Sequence, residues 1–247
     1  MTTFLNTLIF VKRIQAGQSQ LDLLDDVKAL GADGVEVRYE YFKDFDREAP
    51  AIREKARELG LQISLSIPDE LFETDGSVNP KLPAYYAESL GLGAKRAKFN
   101  TGNFAAFSGD LKAAFANIPA ALKVDVENDQ TAVSGHIDKF LPFLIAAKDT
   151  GLSIGYVYDL GNWAYTKGDA VQNAKKLAAF TDYIHFKNVK EANGQLITTE
   201  DLNDGQFDWQ AIMALLPKDA DQALEFPMPN NQRIAKELAI LRGAQRS

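Results

Sequence analysis

The sequence contains no cysteine among its 247 residues and only two histidines. The lack of cysteine excludes disulfide bridges, thiolate metal ligands and a cysteine nucleophile. Structural zinc sites are built from thiolates and histidines, so this composition also argues against a site of that kind.

Long apolar runs are missing as well. No run approaches the roughly 20 residues that a helix needs to cross a bilayer. The first residues, MTTFLNTLIFVKR, have no basic segment ahead of their apolar stretch and no small-residue cleavage site, so we expect no secretory signal. We therefore expect a cytoplasmic protein that does not associate with membranes.

The chain has no excess of basic charge. Its 27 lysines and arginines are scattered among 34 acidic residues, which gives a formal net charge of −7. A nucleic-acid-binding surface needs clustered Lys and Arg to displace counterions from phosphates. We therefore expect a small-molecule ligand and no nucleic-acid partner, and leave a homo-oligomer open.

What the sequence does contain is a regular alternation of two kinds of segment. Strand-like runs lie at 4–11, 34–39, 62–67, 95–99, 122–127, 153–159, 183–187 and 222–226, and helical patterns near 19–30, 47–59, 80–90, 109–117, 134–150, 169–180, 208–216 and 230–243. This alternation implies a parallel sheet covered by helices, and eight units favour closure into a barrel. No G-x-G-x-x-G loop follows the first run, as an open dinucleotide-binding sheet would usually show. We predict an α/β fold, one (β/α)8 TIM barrel domain over residues 1–247, with an Asn-Gly hairpin turn inside the long connection 188–207.

Several predicted strands carry charges where a core is expected. In 122–127 every second residue is apolar, whereas Lys123, Asp125 and Glu127 are charged. Because the apolar face packs against the helices, the charged face points into the barrel. Either these charges form internal ion pairs, such as Glu36 with Arg96 or Asp125 with Lys98, or they line a site. The second interpretation is favoured, because the most polar residues fall at carboxyl-terminal strand ends, where this fold builds active sites.

Four successive strand ends finish with a possible metal ligand, namely Glu127, Asp159, His185 and Glu225. Neighbouring parallel strands lie about 4.8 Å apart, so these side chains can converge on one ion. Three carboxylates and one imidazole favour Mn²⁺, with Mg²⁺, Co²⁺ and Zn²⁺ as alternatives. The second histidine, His136, lies early in the helical pattern 134–150 and is expected at the surface.

These residues resemble a known family. The segments ENDQT (127–131), DLGNW (159–163), HFK (185–187) and GQFDW (205–209) are similar to those of the sugar phosphate isomerase/epimerase group of xylose-isomerase-like barrels. The resemblance covers essentially the whole chain. ENDQT and DLGNW together resemble a bacterial subset associated with 2-ketogluconate utilisation and assigned as epimerases.

The resemblance implies that Glu127 and Glu225 are acid–base catalysts as well as ligands. The expected reaction is isomerisation or epimerisation of a keto-sugar or sugar acid, by proton abstraction beside a metal-bound carbonyl. Many members of the group carry a histidine where this chain has Asn162, which puts any proton transfer at that position in doubt. We expect six residues to contact the substrate: Lys187, Asn162, Trp163, Lys98, Arg38 and Glu36.

Three other functions are alternatives to this reaction. A dehydratase acting on a keto-sugar or keto-inositol begins with the same proton abstraction, and the sequence does not separate it from an epimerase. The second alternative is an apurinic-site endonuclease. Its reaction resembles trinuclear zinc chemistry, which needs more histidines than this chain has. A metal-bearing sugar-binding protein without turnover is the third alternative. The lack of a phosphate-binding glycine loop favours an unphosphorylated substrate.

Overall fold

The computed structural model describes residues 1–245, and eight parallel strands within them close into a barrel. The barrel strands are β1 (Thr3–Asn6), β2 (Gly34–Arg38), β3 (Gln62–Phe72), β4 (Arg96–Gly102), β5 (Lys123–Glu127), β6 (Ile154–Asp159), β7 (Thr181–Phe186) and β10 (Asp221–Leu224). Their order around the barrel is β1-β10-β7-β6-β5-β4-β3-β2, and β1 pairs with both β10 and β2. The predicted TIM barrel is confirmed. The two remaining strands, β8 (Val189–Ala192) and β9 (Gln195–Thr198), form a separate antiparallel pair.

Helices pack around the barrel, and five of them begin at a side-chain cap. The caps are acidic or amide side chains that accept a hydrogen bond from a backbone N–H in the first turn, as Asp44 and Asn230 do. No helix within residues 1–245 combines the length and apolarity that crossing a membrane requires. The helices are α1 (Val11–Gln15), α2 (Leu24–Ala29), α3 (Phe45–Leu59), α4 (Leu82–Leu92), α5 (Leu111–Ala114), α6 (Ile137–Asp149), α7 (Asn162–Tyr165), α8 (Ala170–Leu177), α9 (Trp209–Met213) and α10 (Asn231–Ala244).

The first and third strands differ from the predicted bounds. β1 ends at Asn6 instead of residue 11, because the Asn6 side chain accepts a hydrogen bond from the backbone N–H of Leu8 and caps a 3-10 turn over Thr7–Phe10. β3 runs on to Phe72, past a register shift. The predicted hairpin is present as β8 and β9, and Asn193 and Gly194 both have positive φ, as its turn requires.

A small apolar cluster lies inside the barrel, separate from the main core between strands and helices. It consists of Phe4, Val157, Tyr183 and Ala223. On its own strand, each of these residues precedes by two positions a polar residue of the barrel's carboxyl-terminal end. Side chains two apart on a strand point to the same face. The cluster therefore forms an apolar floor beneath the polar end of the barrel.

Charged side chains in the first half of the strands form an ion-pair network at the amino-terminal end. The Arg96 guanidinium lies 2.5 Å from Asp125 and 3.0 Å from Asp221, and covers the ring of Tyr183 at 4.3 Å. The pairs Glu36 with Arg96 and Asp125 with Lys98 are therefore wrong. Lys98 is the backbone neighbour of Asp125 in the sheet, but its side chain reaches the next acid along β5, Glu127. Strand tilt explains this offset.

Candidate metal centre

The four predicted ligands meet at the carboxyl-terminal end of the barrel. Glu127 and Asp159 are the last residues of β5 and β6, and His185 lies in β7. Glu225 directly follows β10, and its backbone N–H donates to the carbonyl of Phe186 at the end of β7. One ligand atom from each of the four residues lies within 4.8 Å of those of the other three, and all four residues are buried. This cluster can hold a metal ion.

The donor atoms fit a divalent cation. His185 Nδ1 lies 2.7 Å from Glu127 Oε1 and 3.2 Å from Glu225 Oε2. Glu127 Oε1 and Asp159 Oδ2 are buried without a well-aligned hydrogen-bond donor, although each is within ion-pair distance of a cationic group. Buried carboxylate oxygens without full hydrogen bonding are costly, and an ion placed between them removes that cost.

The electrostatics describe a site that holds protons when it lacks a cation. Burial raises the pKa of Asp159 to about 7, despite the attraction of Lys187. Burial alone would lower the pKa of His185, but Glu36 and Glu225 outweigh it and raise that pKa well above its usual value. Burial likewise opposes ionisation of Glu127, but Lys98 and His185 lower its pKa to about 2. At neutral pH Glu127 therefore stays ionised, His185 retains its proton, and Asp159 is partly protonated.

Each of the three ligand carboxylates also has its own cationic partner. Lys98 Nζ lies 2.5 Å from Glu127 Oε2, and Lys187 Nζ lies 2.7 Å from Asp159 Oδ2. Arg38 Nη1 donates to Glu225 Oε1 at 2.8 Å. These cations balance part of the negative charge of the three carboxylates. Lys187 Nζ also donates to Glu225 Oε2 at 3.3 Å, so each carboxylate oxygen of Glu225 faces a cationic side chain.

A cavity of about 280 Å³ opens onto the glutamates. Four of the six predicted substrate contacts line it, namely Arg38, Lys98, Asn162 and Lys187. Asn100, which was not predicted, also lines it, and the residue extends the polar alternation of Arg96 and Lys98 by one step, a pattern visible in the sequence. The other lining residues are Leu8, Ser66, Ile67, Pro68, Glu127, Asp129, Gln130 and Glu225.

Trp163 and Glu36 do not line this cavity, contrary to expectation. Trp163 is buried in the core, where it packs against Phe140 and Tyr158. It follows Asn162 in the first turn of α7, so the two side chains face different directions. Glu36 is fully buried, and its Oε2 atom lies 3.1 Å from His185 Nε2.

The DLGNW segment positions Asp159 and Lys187. The backbone N–H of Asn162 donates to Asp159 Oδ1 at 3.0 Å. Gly161 leaves room for Lys187, since a Cβ atom there would lie 2.6 Å from the Lys187 side chain. Asn128, whose importance the sequence did not reveal, donates to the carbonyl of Asp159 and accepts from its N–H. Asn128 therefore holds the backbone of Asp159, and the N–H of Asn162 holds its side chain.

The second histidine lies outside the cluster. His136 is the residue before α6, and it is only partly buried. The cluster thus draws on one imidazole.

Comparison with known proteins supports the fold. No family model matches the chain, and no curated protein matches it by sequence. Among solved structures, the probable 3-DHS dehydratase AsbF of Bacillus anthracis matches with a TM-score of 0.70 at 16% identity, covering 98% of this chain and 99% of that one. An L-ribulose 3-epimerase matches with a TM-score of 0.69 at 16% identity, covering 99% and 94%.

A third match is a protein with a xylose isomerase domain. A xylose isomerase domain containing protein of Salmonella typhimurium matches with a TM-score of 0.69 at 15% identity, covering 100% of this chain and 97% of that one. The chain therefore has the fold of the xylose-isomerase-like TIM barrels. At the level of the fold, this confirms the resemblance found in the sequence.

Proposed function

We propose that this protein is an isomerase or epimerase that depends on one divalent metal ion and acts on a keto-sugar or sugar acid. The observation that carries the proposal is the convergence of Glu127, Asp159, His185 and Glu225 within 4.8 Å beside a cavity. Carboxylate and imidazole donors suit Mn²⁺, and Mg²⁺, Co²⁺ and Zn²⁺ are alternatives. When bound, the ion polarises a substrate carbonyl and stabilises the charge left by loss of the neighbouring proton.

Glu127 and Glu225 are the proposed acid–base groups. They approach the cluster from β5 and from the end of β10, so they reach a substrate in the cavity from different sides. One glutamate removes the proton next to the carbonyl. The other returns a proton to the opposite face for epimerisation, or one glutamate moves it to the next carbon for isomerisation.

The remaining cavity residues are proposed to bind the substrate. Lys187, Lys98 and Arg38 supply positive charge for hydroxyls or a carboxylate, and Asn162 supplies an amide. Asn162 cannot carry a proton at neutral pH, so it orients substrate and takes no part in proton transfer. A cavity of about 280 Å³ suits a monosaccharide-sized ligand. We also propose that the protein is cytoplasmic, binds no nucleic acid and forms one barrel domain.

A dehydratase is the second candidate, and one observation favours it. The barrel of the probable 3-DHS dehydratase from Bacillus anthracis covers 98% of this chain. Elimination of water from a keto-sugar starts with the same proton abstraction, so the same glutamates would serve. Product analysis separates the two reactions, because only a dehydratase forms a conjugated keto product with loss of water.

The test is a screen of keto-sugars and sugar acids with the Mn²⁺-loaded protein, read by NMR for incorporation of solvent deuterium at carbon. An isomerase or epimerase should incorporate deuterium beside the carbonyl of its substrate without losing water. A protein that binds a sugar with no exchange and no product would be a binding protein, and the catalytic proposal would be rejected.

A further inference from the structure

His185 has a carboxylate at each ring nitrogen. Its Nδ1 atom faces Glu127 and Glu225 in the metal cluster, and its Nε2 atom faces Glu36 at 3.1 Å. Glu36 lies in β2, on the opposite side of the ring from the cluster, and is fully buried. It is thus neither a cavity residue nor a member of the ligand set.

Glu36 is itself held by neighbouring side chains. Asn6 Nδ2 donates to its Oε1 atom at 2.6 Å, and the Ser64 hydroxyl donates to its Oε2 atom at 3.4 Å. Asn6 also donates to Glu225 Oε1 at 3.0 Å, while its own Oδ1 accepts from the backbone N–H of Leu8. That backbone contact fixes which way the amide points. Asn6 therefore connects Glu36 to Glu225.

The contact between Glu36 and His185 Nε2 bears on which ring nitrogen of His185 carries the proton. A neutral imidazole carries one N–H, and a metal-ligating histidine commonly donates it to a carboxylate, which fixes the tautomer and makes the other nitrogen a better ligand. With Glu36 at Nε2, the proton belongs on Nε2, and the Nδ1 lone pair is left facing the cluster. The strand order around the barrel agrees. Asn6 lies on β1, which pairs with β10, the strand that Glu225 follows, and Glu36 lies on β2, the other neighbour of β1.

We propose that Glu36 and Asn6 are positioning residues of the metal centre. Glu36 orients His185 so that Nδ1 faces the ion, and Asn6 ties Glu36 to the ligand Glu225. The inference rests on the proposed function, because it requires that the cluster holds a metal. If Glu36 and Asn6 had only a structural role, their substitution would change folding stability. The variant protein that still folds would then bind metal as tightly as the unaltered protein.

The first test is a titration with Co²⁺ alone, followed by its visible absorption. Loss of such an outer carboxylate typically weakens metal binding by 10–100-fold. We expect Glu36→Gln to lose affinity in that range and Asn6→Ala to lose affinity in the same direction. Asp125→Asn is the matched control, since Asp125 is an equally buried strand carboxylate paired with Arg96. It should bind Co²⁺ as the unaltered protein does.

The outcomes are distinguishable. Folded Glu36→Gln that binds Co²⁺ as tightly as the unaltered protein would overturn the inference, and so would an equal loss in Asp125→Asn. If the unaltered protein bound no Co²⁺ at the cluster, the proposed function would fail first and the inference with it.

The second test needs no variant at Glu36, so it decides even if Glu36→Gln does not fold. The chain has only two histidines, and a His136→Gln variant assigns their ring-nitrogen resonances. In the Zn²⁺-loaded protein, ¹⁵N NMR should show His185 with a proton on Nε2 and the metal on Nδ1. The opposite arrangement would overturn the inference.

Discussion

His185 Nδ1 lies 2.7 Å from Glu127 Oε1, between two strands of the barrel that are not adjacent. The contact brings an imidazole that retains a proton against a carboxylate that stays ionised. A metal ion bound by both residues must take the place of that proton. The same geometry therefore links metal binding to pH.

The first prediction is that metal binding releases protons at neutral pH. Asp159 has its pKa raised to about 7 by burial, and the pKa of His185 is raised well above its usual value by Glu36 and Glu225. Both must lose protons to become ligands. Affinity for Mn²⁺ should therefore rise between about pH 6 and pH 8, by roughly one decade per pH unit for each proton released. Calorimetry in buffers of different ionisation enthalpy measures the number of protons released. An affinity that does not change with pH would contradict the assignment of Asp159 and His185 as metal ligands.

The second prediction compares the two histidines. His185→Ala removes the single nitrogen ligand and should sharply lower the near-stoichiometric metal content expected for protein purified without chelator. His136→Ala is the control, because His136 lies outside the cluster. Elemental analysis gives both values. Equal metal content in the two variants would mean that the metal is held elsewhere.

The third prediction concerns the acid–base pair. Glutamine at position 127 or 225 keeps the side-chain shape but cannot accept a proton. General acid–base catalysis contributes typically 10²–10⁴-fold, so Glu127→Gln and Glu225→Gln should each lower kcat by about that factor. Saturating Mn²⁺ should recover only the loss that comes from weaker metal binding.

For an epimerase, the two glutamine variants should also differ in the substrate stereoisomer from which they can still remove the proton. Each should still exchange the substrate proton of one stereoisomer with D2O and lose exchange for the other. Identical residual exchange for both stereoisomers would rule out the two-base assignment. Lys98, which contacts Glu127 at the cavity wall, would then be the next candidate proton carrier.

The fourth prediction tests Lys187 as a substrate contact. Its amine lies 2.7 Å from Asp159 and borders the cavity. Lys187→Met should raise KM or lower kcat with metal content unchanged. Lys190→Met is the control, since Lys190 pairs with Asp204 at the surface. Unaltered kinetics in Lys187→Met would place Lys187 among the structural ion pairs.

The fifth prediction concerns the amino-terminal network. Arg96→Met leaves Asp125 buried without its cation and removes the partner of Asp221. Breaking a buried pair from one side typically costs about 3–5 kcal/mol of folding free energy. Denaturant unfolding should show that loss, while metal content stays the same. A loss of metal with unchanged stability would contradict the conclusion that the amino-terminal ion-pair network is separate from the metal cluster.

The strand ends of the site could be predicted because their chemistry is local. Glu127, Asp159, His185 and Glu225 each close an apolar run, and parallel barrel strands bring such ends together. The pairing of Lys98 with Glu127 could not be predicted in the same way. It depends on strand tilt and side-chain length, which shift the contact one step from the backbone register.

Residues that act through other residues were harder to recognise. Glu36 was expected to contact substrate, but it faces the back of the His185 ring, and Asn6 was hidden inside a run predicted to be all strand. Trp163 was expected to contact the substrate, but its side chain packs into the core. Its direction depends on the short helix α7, which the sequence did not indicate.

The most direct test of the account is anomalous diffraction from crystals grown with Mn²⁺. We predict one strong peak per chain, within coordination distance of Glu127, Asp159, Glu225 and the Nδ1 atom of His185. The absence of a peak at that position with saturating Mn²⁺, or a peak that these four residues do not contact, would contradict the central claim that they hold the metal ion.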